Sequence, residues 1–298
     1  MSDAADPVHD RIDLHAHSTW SDGTRDVGEL FEDAREAGVT ALALTDHDTT
    51  AGWAELPDAV RATGVAAVPG IEVSAEHEGL SVHVLALLVD PDPGSGLAGE
   101  MARACRSRAE RARSMVELLG RDVPISWDLV QEQVADETTV IGRPHIADAL
   151  VSAGVVPDRS AAFAELLAPS GPYYVPYYAP SPTAVVELIH AAGGVAVIAH
   201  PASSSRDGGL PRGLLEDMIA AGLDGIEVDH REHDDAERAS LLALARSHGL
   251  LVTGGSDYHG AGKPNRLGEN LTQSDVLAAI TRRATSTTEV IRPWTWST

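Results

Sequence analysis

Histidines and carboxylates recur in short groups along this chain. His15 and His17 stand with Asp13 and Asp22 in DLHAHSTWSDGT, and Asp46, His47 and Asp48 in ALTDHDTT. Glu72 lies in GIEVS, His83 in LSVHV, His200 in IAHP, and Asp257 with His259 in GGSDYHG. Any one of these has a plain structural explanation, such as a hydrogen-bonded core histidine or an aspartate capping a helix. Together they offer a mix of imidazole and carboxylate that suits zinc, manganese or iron, whereas calcium prefers oxygen donors. Two histidines at i and i+2 on an extended segment share a face, so both can reach one ion. A carboxylate such as Glu72 can bridge two ions. Ions about 3.5–4 Å apart can activate water and steady the attacking and leaving oxygens of a phosphoryl displacement.

Such residues need elements that bring them to one place. Short β-branched runs alternate with Ala/Leu/Glu-rich helical stretches. RIDLH, TALALTDHD, AAVPGIEVSAE, LSVHVLALLVD, GGVAVIAHP, LDGIEVDH and LLVTGGSDYHG read as strands. DVGELFEDAREAGV, AGWAELPDAVRATGV (interrupted near Pro57), PTAVVELIHAAG and AERASLLALARSHG read as helices. Repeated βα units with nearly continuous apolar strands predict a parallel sheet, helices outside, closed into a barrel. Sites in parallel α/β folds form at the carboxyl ends of strands, where most of these histidines and acids fall. The stretch from LAGEMARACRSRAERARSMVELLG through RPHIADALVSAGV to DRSAAFAELLAP is helical, bounded by DPDPGSG and PSGPYYVPYYAPSP. The expected division is a discontinuous barrel at 8–92 and 181–285, a helical insertion capping its mouth at 93–180, and a tail at 286–298.

Composition narrows the chemistry. At 298 residues and 43% hydrophobic content the chain suits one large barrel, or a medium one with an insertion. No apolar run approaches a membrane span, and the start lacks the pattern of a signal peptide, so a cytoplasmic address is expected. One cysteine, Cys105, rules out a disulfide framework and a cysteine-based zinc module. The formal net charge of −23 opposes binding to long duplex nucleic acid, but admits a small phosphorylated substrate. Lys263 is the only lysine, which leaves Schiff-base, carboxylated-lysine and P-loop mechanisms without a mid-chain residue.

In order, DLHAHSTWSDGT, ALTDHDTT, GIEVS, the His83 strand, IAHP and GGSDYHG resemble the successive motifs of the PHP (polymerase and histidinol phosphatase) metallohydrolases. The likeness spans nearly the whole chain outside the insertion. It implies a distorted (β/α)7 TIM-like barrel holding two or three divalent ions, Mn2+, Fe2+ or Zn2+. One ion would take His15, His17, Glu72 and Asp257; a second would share Glu72 and use His83 and His200; a third would take Asp22, His47 and His259. His17, His200 and Asp257 are the residues expected at the reacting atoms, with no single proton donor singled out. Asp13 and Asp46 are expected to support ligand histidines, and Trp20 to serve packing or the rim. His233 matches a recurrent family histidine but reads equally as loop. His9, His77, His190 and His248 have no supporting pattern, and Glu227 and Asp229 match no ligand position.

Within the family, the insertion carrying GRPH and the ending GSDYHGAGKPNRLG resemble the branch that dephosphorylates nucleotides. This implies Arg143 and His145 as contacts to a substrate phosphate, with Lys263 and Arg266 as weaker ones. The implied reaction is attack of metal-activated hydroxide on phosphorus, foremost at the 3′-phosphate of 3′,5′-bisphosphate nucleotides or at AMP-type monophosphates. The alternative is 5′→3′ trimming of short 5′-phosphorylated RNA. Histidinol phosphate hydrolysis, amidohydrolase chemistry and a non-catalytic metal-binding module fit less well. No membrane or obligate protein partner is expected.

Overall fold

The computed structural model describes residues 10–134, 139–203 and 209–293. The expected barrel start at residue 8, His9, residues 135–138 of the helical segment and the last five residues of the tail lie outside these. Among the described residues no helix is long and apolar enough to cross a membrane.

The strands are β1 (Ile12–Asp13), β2 (Ala41–Leu44), β3 (Ala66–His77), β4 (Leu80–Leu87), β5 (Val195–Ile198), β6 (Gly225–Asp229) and β7 (Leu251–Gly254). They pair in sequence order as one seven-stranded sheet. The edges meet beyond β1 and β7: the His17 amide donates to the Tyr258 carbonyl at 2.9 Å, and the Asp257 amide to the His15 carbonyl at 2.8 Å. The result is a nearly closed α/β barrel of the TIM-like kind.

One expectation needs correction. The sheet is not uniformly parallel, because β4 runs antiparallel to both β3 and β5. The cause is local: His77 pairs with Leu80, leaving only Glu78 and Gly79 to turn the chain. Both have positive φ, 49° and 85°, the geometry of a tight two-residue hairpin. Such a loop is too short for a crossover helix, so β4 must double back. His83 therefore sits in the first half of a descending strand, opposite Ser74, and still reaches the end of the barrel where β3 delivers Glu72.

The helices are α1 (Val27–Glu36), α2 (Leu56–Thr63), α3 (Gly96–Leu119), α4 (Trp127–Gln131), α5 (Arg143–Ser152), α6 (Arg159–Glu165), α7 (Pro182–Ala191), α8 (Arg212–Ala220), α9 (Asp235–His248) and α10 (Ser274–Arg283). In α1, Val27, Leu30, Phe31 and Ala34 form the buried stripe, and an Asp26–Glu29 capping box fixes its start. Ile12, Ala43, Val68, Leu85 and Val197 cluster with Leu277 and Ile280 of α10. A larger cluster joins β3–β6 to α7, α8 and α9 through residues such as Ile71, Val84, Ile189 and Met218. The helices between β4 and β5 have an apolar cluster of their own, including Met115, Leu119, Ile146, Leu150 and Ala162. Its presence makes that segment a packed unit rather than a long loop.

Candidate metal centre

At one end of the barrel the histidines and carboxylates converge on Glu72. Its Oε1 lies 2.8 Å from both His83 Nδ1 and His200 Nε2. Its Oε2 lies 3.2 Å from His15 Nε2, 3.1 Å from His17 Nε2 and 3.3 Å from His47 Nδ1. Asp257 Oδ1 approaches His15 Nε2 at 3.5 Å and His17 Nε2 at 3.3 Å. Asp22 faces His259 Nε2 at 3.2 Å and His47 Nε2 at 3.8 Å. Apart from His83, which is half-buried, the residues are almost wholly buried; His15 and His17 have no exposed surface.

Three groups could each hold an ion, with ligand atoms within 4.8 Å of one another: His15, His17, Glu72 and Asp257; His17, Asp22, His47 and His259; and His47, Glu72 and His83. His17 and His47 thus belong to more groups than the sequence assigned them. His200 stands outside these groups, although its Nε2 contacts Glu72.

The donor set fits divalent cations by another measure. His15 Nε2, His17 Nε2, His47 Nδ1, His83 Nδ1, His259 Nε2, Asp22 Oδ1 and Asp257 Oδ1 are buried and lack a hydrogen-bond partner. Each such atom costs roughly 1–3 kcal/mol if left unmet, so a protein rarely gathers several without a ligand for them. All seven are lone-pair donors to a cation.

Electrostatics point the same way. Burial alone would raise the Glu72 carboxyl, but His47, His83 and His15 hold it well below the usual range. Asp257 and Asp22 are likewise held low against burial, the first chiefly by Lys263 and His259, the second by His259 and His47. Burial presses down on His15, His17, His47 and His259. It prevails at His47 and His259, whereas Glu72, Glu227 and Asp257 hold His15 well above its ordinary value. Against that burial, the neighbouring carboxylates of Asp257 and Glu72 take His17 to about 9.

Backbone geometry aims these groups. Asp48, His200 and Asp257 have φ of 51°, 32° and 51°, a left-handed conformation uncommon for residues other than glycine. Three such residues at strand ends around one cluster mark where the fold accepts strain to set direction. Asp13, raised to about 6 by burial, accepts from the amides of His15, Ser256 and Gly268 at 3.3, 2.8 and 2.9 Å. It therefore ties the β1 and β7 loops together rather than touching an imidazole. Asp46 accepts from the Ser18 amide and from Ser21 Oγ, and Ser21 Oγ lies 3.3 Å from His17 Nδ1. Its link to His17 runs through a serine.

Glu227 was passed over in the sequence but is central here. Its Oε1 lies 3.1 Å from His15 Nδ1, and its Oε2 accepts the His200 amide at 2.8 Å. A glutamate inside the apolar strand GIEVD was the available signal. His230 was also missed. Its Nδ1 accepts from the Glu232 amide, which leaves the ring proton on Nε2, 3.7 Å from Asp257 Oδ2. His233 is buried, with Nδ1 2.9 Å from the Val228 carbonyl, so it braces the loop after β6.

Of the other substrate candidates, Lys263 is exposed, yet donates to Asp257 Oδ2 at 2.6 Å and so touches the cluster from its rim. His145, buried at the start of α5, lines a cavity of about 880 Å³ beside Ser21, Thr24, Asp158, Arg159 and Lys263. Arg143 turns elsewhere: its Nη1 donates to the Leu167 carbonyl, and its guanidinium lies over Phe163 and Tyr174. Arg266 is exposed, and its side chain makes no hydrogen bond or ion pair among the described residues. Trp20 Nε1 donates to Glu55 at 2.6 Å, a rim contact.

A mixed seven-stranded barrel with this cluster at one end defines a PHP-domain protein, and the chain belongs to that family; the PHP domain model matches residues 13–121. It is 36% identical to the 3′,5′-nucleoside bisphosphate phosphatase of Chromobacterium violaceum, over 86% of this chain and 89% of that one. It is 35% identical to a 5′-3′ exoribonuclease of Haemophilus influenzae, over 91% of this chain and 97% of that one. A solved structure from Bifidobacterium adolescentis, described as a metal-dependent phosphoesterase, superposes with a TM-score of 0.89 at 45% identity, covering 93% and 97% of the two chains. The family expectation from the motifs holds.

Proposed function

We propose that this protein is a metal-dependent phosphohydrolase that removes the 3′-phosphate from 3′,5′-bisphosphate nucleotides, using two or three divalent ions of the Mn2+, Fe2+ or Zn2+ class. The observation that carries it is Glu72, ringed by five imidazoles within 3.3 Å and bordered by Asp257. The ligands would be His15, His17, Asp22, His47, Glu72, His83, His200, Asp257 and His259. Likeness to the Chromobacterium enzyme over most of both chains supports the substrate.

Ions held there would draw charge from the phosphoryl oxygens and make water a stronger nucleophile at neutral pH. Water adds to the 3′-phosphorus in line, the P–O3′ bond breaks, and O3′ takes a proton, giving a nucleoside 5′-phosphate and inorganic phosphate. His17, His200 and Asp257 border the reacting atoms. Glu227 fixes the ring of His15, Asp13 and Asp46 hold the loops, and His230 keeps a proton on Nε2 beside Asp257. Residues 93–180 act as the cap, from which His145, at the cavity wall, meets substrate phosphate. Lys263 offers a positive charge next to Asp257.

Phosphate release from adenosine 3′,5′-bisphosphate, AMP and a 5′-phosphorylated trinucleotide tests this, with metal-stripped and Mn2+-, Fe2+- or Zn2+-loaded protein. The bisphosphate should turn over only with metal. His15→Ala and Asp257→Ala should each lose at least ~10²-fold in turnover, in line with removal of a ligand or its support. Inertness of loaded protein towards all three compounds would refute the nucleotide reading. Likeness to the Haemophilus exoribonuclease favours a second reading, cleavage of the first phosphodiester of a short 5′-phosphorylated RNA, which the trinucleotide tests.

A further inference from the structure

The loop after β1 reaches the metal cluster through Asp22, and the helical segment between β4 and β5 grips that loop by its backbone. Thr139 Oγ1 donates to the Thr19 carbonyl at 3.1 Å, the Val140 amide to the Trp20 carbonyl at 3.2 Å, and Arg159 Nη1 to the Asp22 carbonyl at 3.3 Å. Three of four successive carbonyls are thus held from one side. The barrel holds the same loop from the other: Ser18 Oγ and Ser21 Oγ donate to Asp46, each at 2.6 Å, and the Thr24 amide donates to the His259 carbonyl at 3.2 Å.

Arg159 is the charged member of this grip. Its Nε and Nη2 donate to the two carboxylate oxygens of Asp148 in α5, each at 2.5 Å. That fork-to-fork bond fixes the plane of the guanidinium and leaves Nη1 for Asp22. The same Nη1 lies against Gly262, three residues after His259, where a Cβ would collide with it. The guanidinium is therefore wedged between the loop that carries Asp22 and the turn that follows His259. Among the described residues, Asp22 and His259 belong to one candidate ion group only, His17, Asp22, His47 and His259. A guanidinium beside a cation site is misplaced by charge, since it repels the ion. What it offers instead is position. Asp22 stands on a turn with no helix or strand of its own, and a carboxylate ligand keeps its aim through the partners behind it.

We propose that Arg159 is a positioning residue for Asp22, so that the ion of the His17, Asp22, His47 and His259 group binds tightly only while the helical segment is docked on the loop. The proposal rests on the metal-dependent reading above. It adds that this one ion answers to the cap, whereas the ions held on Glu72 do not.

The test is Arg159→Ala, read by calorimetric titration of metal-free protein with Mn2+ and by elemental analysis after dialysis. One ion should bind about 10- to 100-fold more weakly, the usual loss when a partner behind a metal ligand is removed, and the others as in wild type. Charge alone predicts the opposite sign, because taking away a nearby cation would tighten the site. Gly262→Ala displaces the guanidinium while leaving Arg159 and every ligand in the chain, and should weaken the same ion. Added to Arg159→Ala it should do nothing more, and it carries the test by itself if Arg159→Ala does not fold. In metal-free protein, amide hydrogen exchange over residues 18–24 should quicken in either variant. An arginine that only joins α5 to α6 would lower Tm when removed, with ion binding and loop exchange unchanged in both variants. That result would overturn the inference, as would tighter binding or an equal loss at every ion. If wild type takes up no ion, the metal reading falls, while loop exchange still decides whether Arg159 holds Asp22 in place.

Discussion

Around Glu72 the imidazoles divide by charge. His47 and His259 are held below their ordinary value, so they are neutral at pH 7, whereas His15 and His17 are held above it. A cation needs all of them neutral, so its arrival must expel the protons on His15 and His17. Metal uptake at pH 7 should therefore release about two protons, and affinity should climb with pH until His17 deprotonates near 9. Calorimetric titration in two buffers of different ionisation enthalpy measures this directly, and heats independent of buffer would show that the rings are already neutral. The candidate ligands were legible in the sequence because each is a polar residue at or near the end of an apolar run. Glu227 was not, since its partner His15 lies 212 positions away.

At the level of elements, the loops after strands must hold awkward backbones rigidly. Gly255, between β7 and Asp257, lies so close to β1 that a Cβ there would clash with His15 Cβ and come within 2.6 Å of Glu227 Oε1. Gly255→Ala should cost about 1–3 kcal/mol, the range for forcing atoms into a packed site. Because the displaced groups are His15 and Glu227, metal affinity should fall as well. Thermal melting of the apo protein and metal titration check the two effects; wild-type values for both would mean that the loop yields freely. The alternation of strand and helix predicted the barrel well, since apolar runs and capping signals are local. The reversal of β4 was missed although Glu78–Gly79 spells a tight turn, because strand direction depends on a pairing that hydrophobic pattern does not record.

For the molecule as a whole, a formal charge of −23 surrounds a small, partly cationic site. Phosphates beyond the pocket would face a repelling surface. Binding of 5′-phosphorylated oligoribonucleotides should stop strengthening beyond about three nucleotides, and the slope of log affinity against log salt should stay shallower than about −2, against the steeper slopes of proteins that track a backbone. Fluorescence anisotropy across a length series at several salt concentrations measures both, and steady tightening with length would reveal a track that the net charge conceals. The doubling back of β4 bears on how the parts are joined. It leaves the chain at the far end of the barrel, and the 24 residues of α3, about 36 Å of helix, carry it back up. Leu97 at the foot of α3 belongs to the barrel's apolar cluster, and Met115 and Leu119 at its head to the upper one. One unbroken rod thus joins the two clusters, so a break within it would loosen the upper one from the barrel.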